Sequence, residues 1–69
     1  MGNKNYIRDF YGRILGSVEE DSIGNKTARD FYGRIVGKYD SKLGVTRDFY
    51  GRIVGKGDLT SSLIHEAQD

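Results

Sequence analysis

The segment Arg-Asp-Phe-Tyr-Gly-Arg-Ile occurs three times, at residues 8–14, 29–35 and 47–53. Each copy continues with Leu15, Val36 or Val54, and then with Gly16, Gly37 or Gly55. A seven-residue identity used three times in a 69-residue chain marks one supersecondary unit, repeated. The chain reads as a single domain over residues 1–69, with repeat cores at 8–16, 29–37 and 47–55 and a tail at 58–69.

A helix suits this unit poorly. Its two glycines, four residues apart, would each cost a helix about 1 kcal/mol, and the apolar positions do not recur at i, i+3, i+4 and i+7. A hairpin explains more. Asp-x-x-Gly is the signature of a type I turn: the aspartate carboxylate bonds the turn backbone, and the glycine takes the left-handed conformation that closes a bulged hairpin. Asp9/Gly12, Asp30/Gly33 and Asp48/Gly51 fit this pattern. Asp21-Ser22-Ile23-Gly24 fits it again, and residues 40–44 form a version one residue longer. Turns within the units therefore alternate with turns between them. The pattern predicts six strands, near residues 5–9, 13–19, 25–30, 34–39, 45–48 and 52–56.

The second strand of each unit carries two apolar residues in succession: Ile14-Leu15, Ile35-Val36 and Ile53-Val54. Neighbouring strand residues point to opposite faces, so both faces of these strands are apolar. Equal offsets from the turn predict equivalent core sites for Ile14, Ile35 and Ile53. Leu15, Val36 and Val54 then lie outside, candidates for cover by a partner together with Leu63 and Ile64. Glycine at 16, 37 and 55 implies that a backbone passes close by or that the strands converge near an axis. In the tail, Asp58 can cap a short helix with Ser61 or Ser62 in its first turn. Leu59, Leu63, Ile64 and Ala67 then share one face, and a strand over residues 62–66 is the competing reading.

The three RDFYGRI(L/V)G units resemble those of a group of short bacterial proteins with tandem repeats, the 4-fold β-flower family. The resemblance covers nearly all of residues 5–57. It implies an all-β fold of three tandem hairpin repeats arranged around a pseudo-symmetry axis, with a short C-terminal helix or strand, and it implies no activity. A fourth unit would come from residues 19–25, from the tail or from another subunit. A looser similarity is to the YD repeats of large shell-forming toxin proteins, echoed by Lys38-Tyr39-Asp40 and the Gly-Arg-Ile steps; a chain of this length is too short for such a shell.

All six arginines lie in the repeat: Arg8, Arg29 and Arg47 before the turn, Arg13, Arg34 and Arg52 after it. Beside them stand Tyr11, Tyr32 and Tyr50 and three phenylalanines. Arginine interleaved with aromatics can stack bases and hold phosphates, which makes these nine Arg and Tyr residues the candidate binding surface. The plainer explanation is structural: each Asp pairs with an Arg, Phe fills the core and Tyr lies beneath a guanidinium.

Catalysis finds no support. Asp9, Asp30 and Asp48 are explained by their turns, and nothing distinguishes one from another as an acid–base pair requires. His65 beside Glu66 lacks a nucleophile, and the glycine spacing is no P-loop. With no cysteine and one histidine, no metal site and no cofactor is expected. Eleven basic against ten acidic residues, a formal charge of +1, give little nonspecific attraction to nucleic acid or to an anionic membrane. No apolar run approaches a membrane span, no secretory signal is seen, and Met1-Gly2 lacks the Ser or Thr at position six of a myristoylation motif. The expectation is a cytoplasmic, non-enzymatic structural or protein-interaction module. A core this small leans on disulfides, metals or partner chains, and only partners remain, so self-association is expected too. Binding of nucleic acid or an anionic small molecule through the Arg/Tyr surface is the second reading.

Overall fold

A computed structural model describes residues 3–66 of the chain. Six strands run in chain order: β1 (Asn3–Arg8), β2 (Ile14–Glu20), β3 (Lys26–Asp30), β4 (Ile35–Asp40), β5 (Val45–Asp48) and β6 (Ile53–Lys56). They form one open antiparallel sheet of order β1-β2-β3-β4-β5-β6, followed by the helix α1 (Thr60–Glu66). The alternating turns dictate this meander, because each short turn returns the chain beside the strand just made. Every strand lies within two residues of its sequence-predicted position. The tail is a helix over the described residues, and Ala67, expected on its apolar face, lies outside them.

Each repeat hairpin carries a bulge. Arg8 faces Ile14 while Ile7 faces Gly16, leaving Leu15 as the extra residue. The same skip leaves out Val36 between β3 and β4, and Val54 between β5 and β6. The bulge explains the paired apolar residues and corrects the expected core. Ile14, Ile35 and Ile53 share the open face with their partners Arg8, Arg29 and Arg47. They are not equivalent core sites: Ile14 and Ile35 are half-buried, and Ile53 is 59% exposed. The core lies on the other face, where Val18, Ala28 and Ile64 are buried and Ile7, Leu15 and Val36 pack around them.

The helix completes that core. At seven residues it is too short to be stable alone. Asp58 Oδ1 accepts the Thr60 amide at 3.1 Å, and Asp58 Oδ2 accepts Lys26 Nζ of β3 at 2.6 Å. Buried Thr46 donates its hydroxyl to the Gly57 carbonyl at 2.7 Å and accepts the Leu59 amide at 2.9 Å, tying β5 to the helix entry. Leu63 and Ile64 are buried against the sheet and are therefore not available to a partner, contrary to the sequence expectation. What crowds the strand glycines is the helix and neighbouring strand carbonyls at Gly16 and Gly37, and Leu59 of the helix entry at Gly55. A Cβ on Gly16 would meet the Arg29 carbonyl and Ile64; on Gly37, Leu63 and the Arg47 carbonyl; on Gly55, Leu59.

Candidate functional site

Because successive strands reverse direction, the three repeat turns all lie at one end of the sheet and the two linking turns at the other. Neighbouring tips are two strands apart, about 10 Å along the ladder. Strand twist of about 20–25° per step fans each tip roughly 40–50° from the last. The repeat thus becomes a row of three like tips.

Each tip is held by its aspartate. Oδ1 of Asp9, Asp30 and Asp48 accepts the amides of the residues two and four ahead, Tyr11/Arg13, Tyr32/Arg34 and Tyr50/Arg52, all at 2.8–3.0 Å. Oδ2 accepts the Nε–H of the same arginine, at 2.8 Å in the first tip, 3.0 Å in the second and 3.2 Å in the third. The tip glycines sit at φ of 83–85°, where a side chain would be strained.

These bonds tune the carboxyls. The Arg13 amide holds Asp9 below the usual carboxylate value, and the Arg52 amide does the same for Asp48. At Asp30, partial desolvation pulls upward, but the amide and guanidinium of Arg34 outweigh it, and that carboxyl is lowered too.

Above each carboxylate the guanidinium lies over a tyrosine ring, Arg13 on Tyr11, Arg34 on Tyr32 and Arg52 on Tyr50, with centroid distances of 5.4–5.5 Å. Each phenylalanine meets that tyrosine edge-on at 5.4–5.6 Å. This corrects the expected filling of the core by Phe: Phe10, Phe31 and Phe49 are 96%, 62% and 66% exposed. Tyrosine beneath guanidinium is as the sequence implied.

All nine candidate residues gather toward this end, in two layers. Tyr11, Tyr32, Tyr50, Arg13, Arg34 and Arg52 form the exposed tips. Arg8 and Arg29 rise from the open face and donate to the tip carbonyls of Gly12 and Gly33 at 2.8 and 2.9 Å. Arg29 also donates to Glu19 at 2.7 Å. Arg47 makes neither bond among the described residues. Two shallow cavities adjoin the tips. One, of about 480 Å³, lies between the first two tips over Ile14 and Leu15 and reaches His65; the other, of about 470 Å³, runs from Phe49 over Ile35 and Arg47 along the sheet to Asp21 and Asn25 of a linking turn. Sequence reasoning missed the phenylalanines as surface residues. Their signal was the turn itself, since a residue at the second position of a tight two-stranded turn has no neighbouring strand to cover it.

Among the described residues no cluster of three potential metal ligands forms, and no helix is long and apolar enough to cross a membrane. Comparisons with protein-family models, curated proteins and solved structures give no match.

Proposed function

We propose that this chain is a non-enzymatic protein-interaction module whose contact surface is the fan of three aromatic tips. The observation that carries the reading is the exposure of Phe10, Phe31 and Phe49 at equivalent places on one end of the sheet. Apolar surface grouped in this way marks an interaction site, and Tyr and Arg are the residues that most often dominate binding energy. Self-association belongs to the same reading. The buried core is small, and Tyr6, Ile53 and Val54 are large apolar residues left exposed on the strands. A cytoplasmic setting completes it.

The test compares the proteins retained by the tagged wild-type chain with those retained by a Phe10→Ser, Phe31→Ser, Phe49→Ser variant. Partners lost selectively by the variant support the reading; an unchanged set ends it. Binding of nucleic acid or an anionic small molecule is the second reading, favoured by the guanidinium–tyrosine stacks. Retention of single-stranded oligonucleotide by the wild type, lost on replacing Arg13, Arg34 and Arg52 with Gln, would put it first.

A further inference from the structure

The charge of this chain is segregated by side-chain type. Every arginine lies in a hairpin-tip unit, and all five lysines, Lys4, Lys26, Lys38, Lys42 and Lys56, lie outside them. Around the tips stand six arginines, of which Arg13, Arg34 and Arg52 pair with Asp9, Asp30 and Asp48, and Arg29 with Glu19. That leaves an excess of two positive charges, six less four, at one end of a chain whose total is only +1. The whole-chain balance therefore understates the field at the aromatic end.

The arginines that bind the turn aspartates do so through Nε. Their terminal nitrogens make no hydrogen bond among the described residues, and the side chains are 75–76% exposed. The guanidinium is also oriented in advance, clamped by a carboxylate and laid over a tyrosine. It presents its outer fork as a carboxylate ligand would require, with less rotamer freedom left to lose on binding. In each tip an exposed phenylalanine meets, edge-on, the same tyrosine that lies beneath the guanidinium.

Resting on the protein-interaction reading, we infer that the partner of the tips is an acidic polypeptide segment that carries aromatic or aliphatic residues among its carboxylates. The tips engage it as three like subsites: each takes a carboxylate on the outer fork of Arg13, Arg34 or Arg52 and an apolar side chain against Phe10, Phe31 or Phe49. A second copy of this chain meeting the fan tip-to-tip is disfavoured, because the two ends would carry the same excess charge. Three linked subsites make binding multivalent, so loss of one tip weakens it by more than a third.

The probe is a fluorescently labelled random copolymer of glutamate and tyrosine, titrated with the full chain and read by anisotropy. Polyglutamate, single-stranded oligo-dT and phosphatidylglycerol vesicles are run beside it. The copolymer is expected to bind best, and more weakly as salt rises. Binding should fall at least about tenfold when Arg13, Arg34 and Arg52 are replaced by Gln, and again with the triple Phe→Ser variant. The triple Arg→Lys variant keeps the charge but loses the fork, so it should fall between. It also stands in if the Gln variant does not fold, as judged by its far-UV spectrum, and then any loss of affinity supports the fork. No copolymer binding, binding indifferent to both arginine variants, or tighter binding to oligo-dT or vesicles overturns the inference. Captured partners that depend on the phenylalanines but lack acidic segments would overturn it while leaving the interaction module standing.

Discussion

Leu63 of α1 fills the space that a Cβ on Gly37 would need, and the Arg47 carbonyl closes that space from the adjoining strand at 2.5 Å. The central glycine of the sheet is thus the seat of the helix. Gly37→Ala should shift both backbone and helix, costing about 1–3 kcal/mol. Gly33→Ala, with open space around it but a φ of 85°, should cost about 1–2 kcal/mol through backbone strain alone. Urea denaturation of both checks this, and exchange of the α1 amides should rise only for Gly37→Ala.

Ile64 is fully buried between the helix and Val18 and Ala28, whereas Ile53 stands on the open face. Ile64→Ala is expected to cost about 2–5 kcal/mol, enough to unfold much of so small a domain. In dilute solution Ile53→Ala should stay within about 0.5 kcal/mol. Thermal melts of the two variants decide whether the core lies on the helix side.

Thr46 serves as donor and acceptor in the interior. Replacing it with Val keeps the shape but strands the Gly57 carbonyl and the Leu59 amide, a loss of about 1–3 kcal/mol. Thr46→Ser keeps the hydroxyl and should recover much of this in the same denaturation assay.

Acid should loosen the tips before it unfolds the core. The carboxyls of Asp9, Asp30 and Asp48 are lowered from the ordinary value of 3.8 in the folded chain. The unfolded chain therefore takes up protons first as pH falls. Their contribution is complete above the unfolded value and is lost as pH drops through the lower folded ones. Replacing all three with Asn should flatten the acid limb of a stability-against-pH curve. An unaltered limb would mean that the bonds at the tips do not couple to folding.

Sedimentation across a hundredfold concentration range tests self-association. The expected result is a rising weight-average mass, with a melting temperature that climbs with concentration. Tyr6→Ser and Val54→Ser should lower the mass. The triple Phe→Ser variant should leave it unchanged if the tips are kept for a different partner.

The turns were legible in the chain because they are made locally. Asp30 bonds Tyr32 and Arg34 from two and four residues away, so its role is contained in a five-residue word. The six strand positions followed from the same words, as did the Arg–Tyr stacks, which join residues only two apart in sequence. The helix was legible through Asp58 and the spacing of Leu59, Leu63 and Ile64.

What the chain did not disclose by itself was which member of each apolar pair turns inward. Alternation along a strand places Ile35 and Val36 on opposite faces but does not say which face is covered. That was decided when α1 lay across one side and the bulges set the parity of Val36 and Gly37 against β3. The exposure of Phe10, Phe31 and Phe49 was decided in the same way. An aromatic residue is buried only where a second layer exists to meet it, and α1 covers the middle of the sheet, leaving its tips in water.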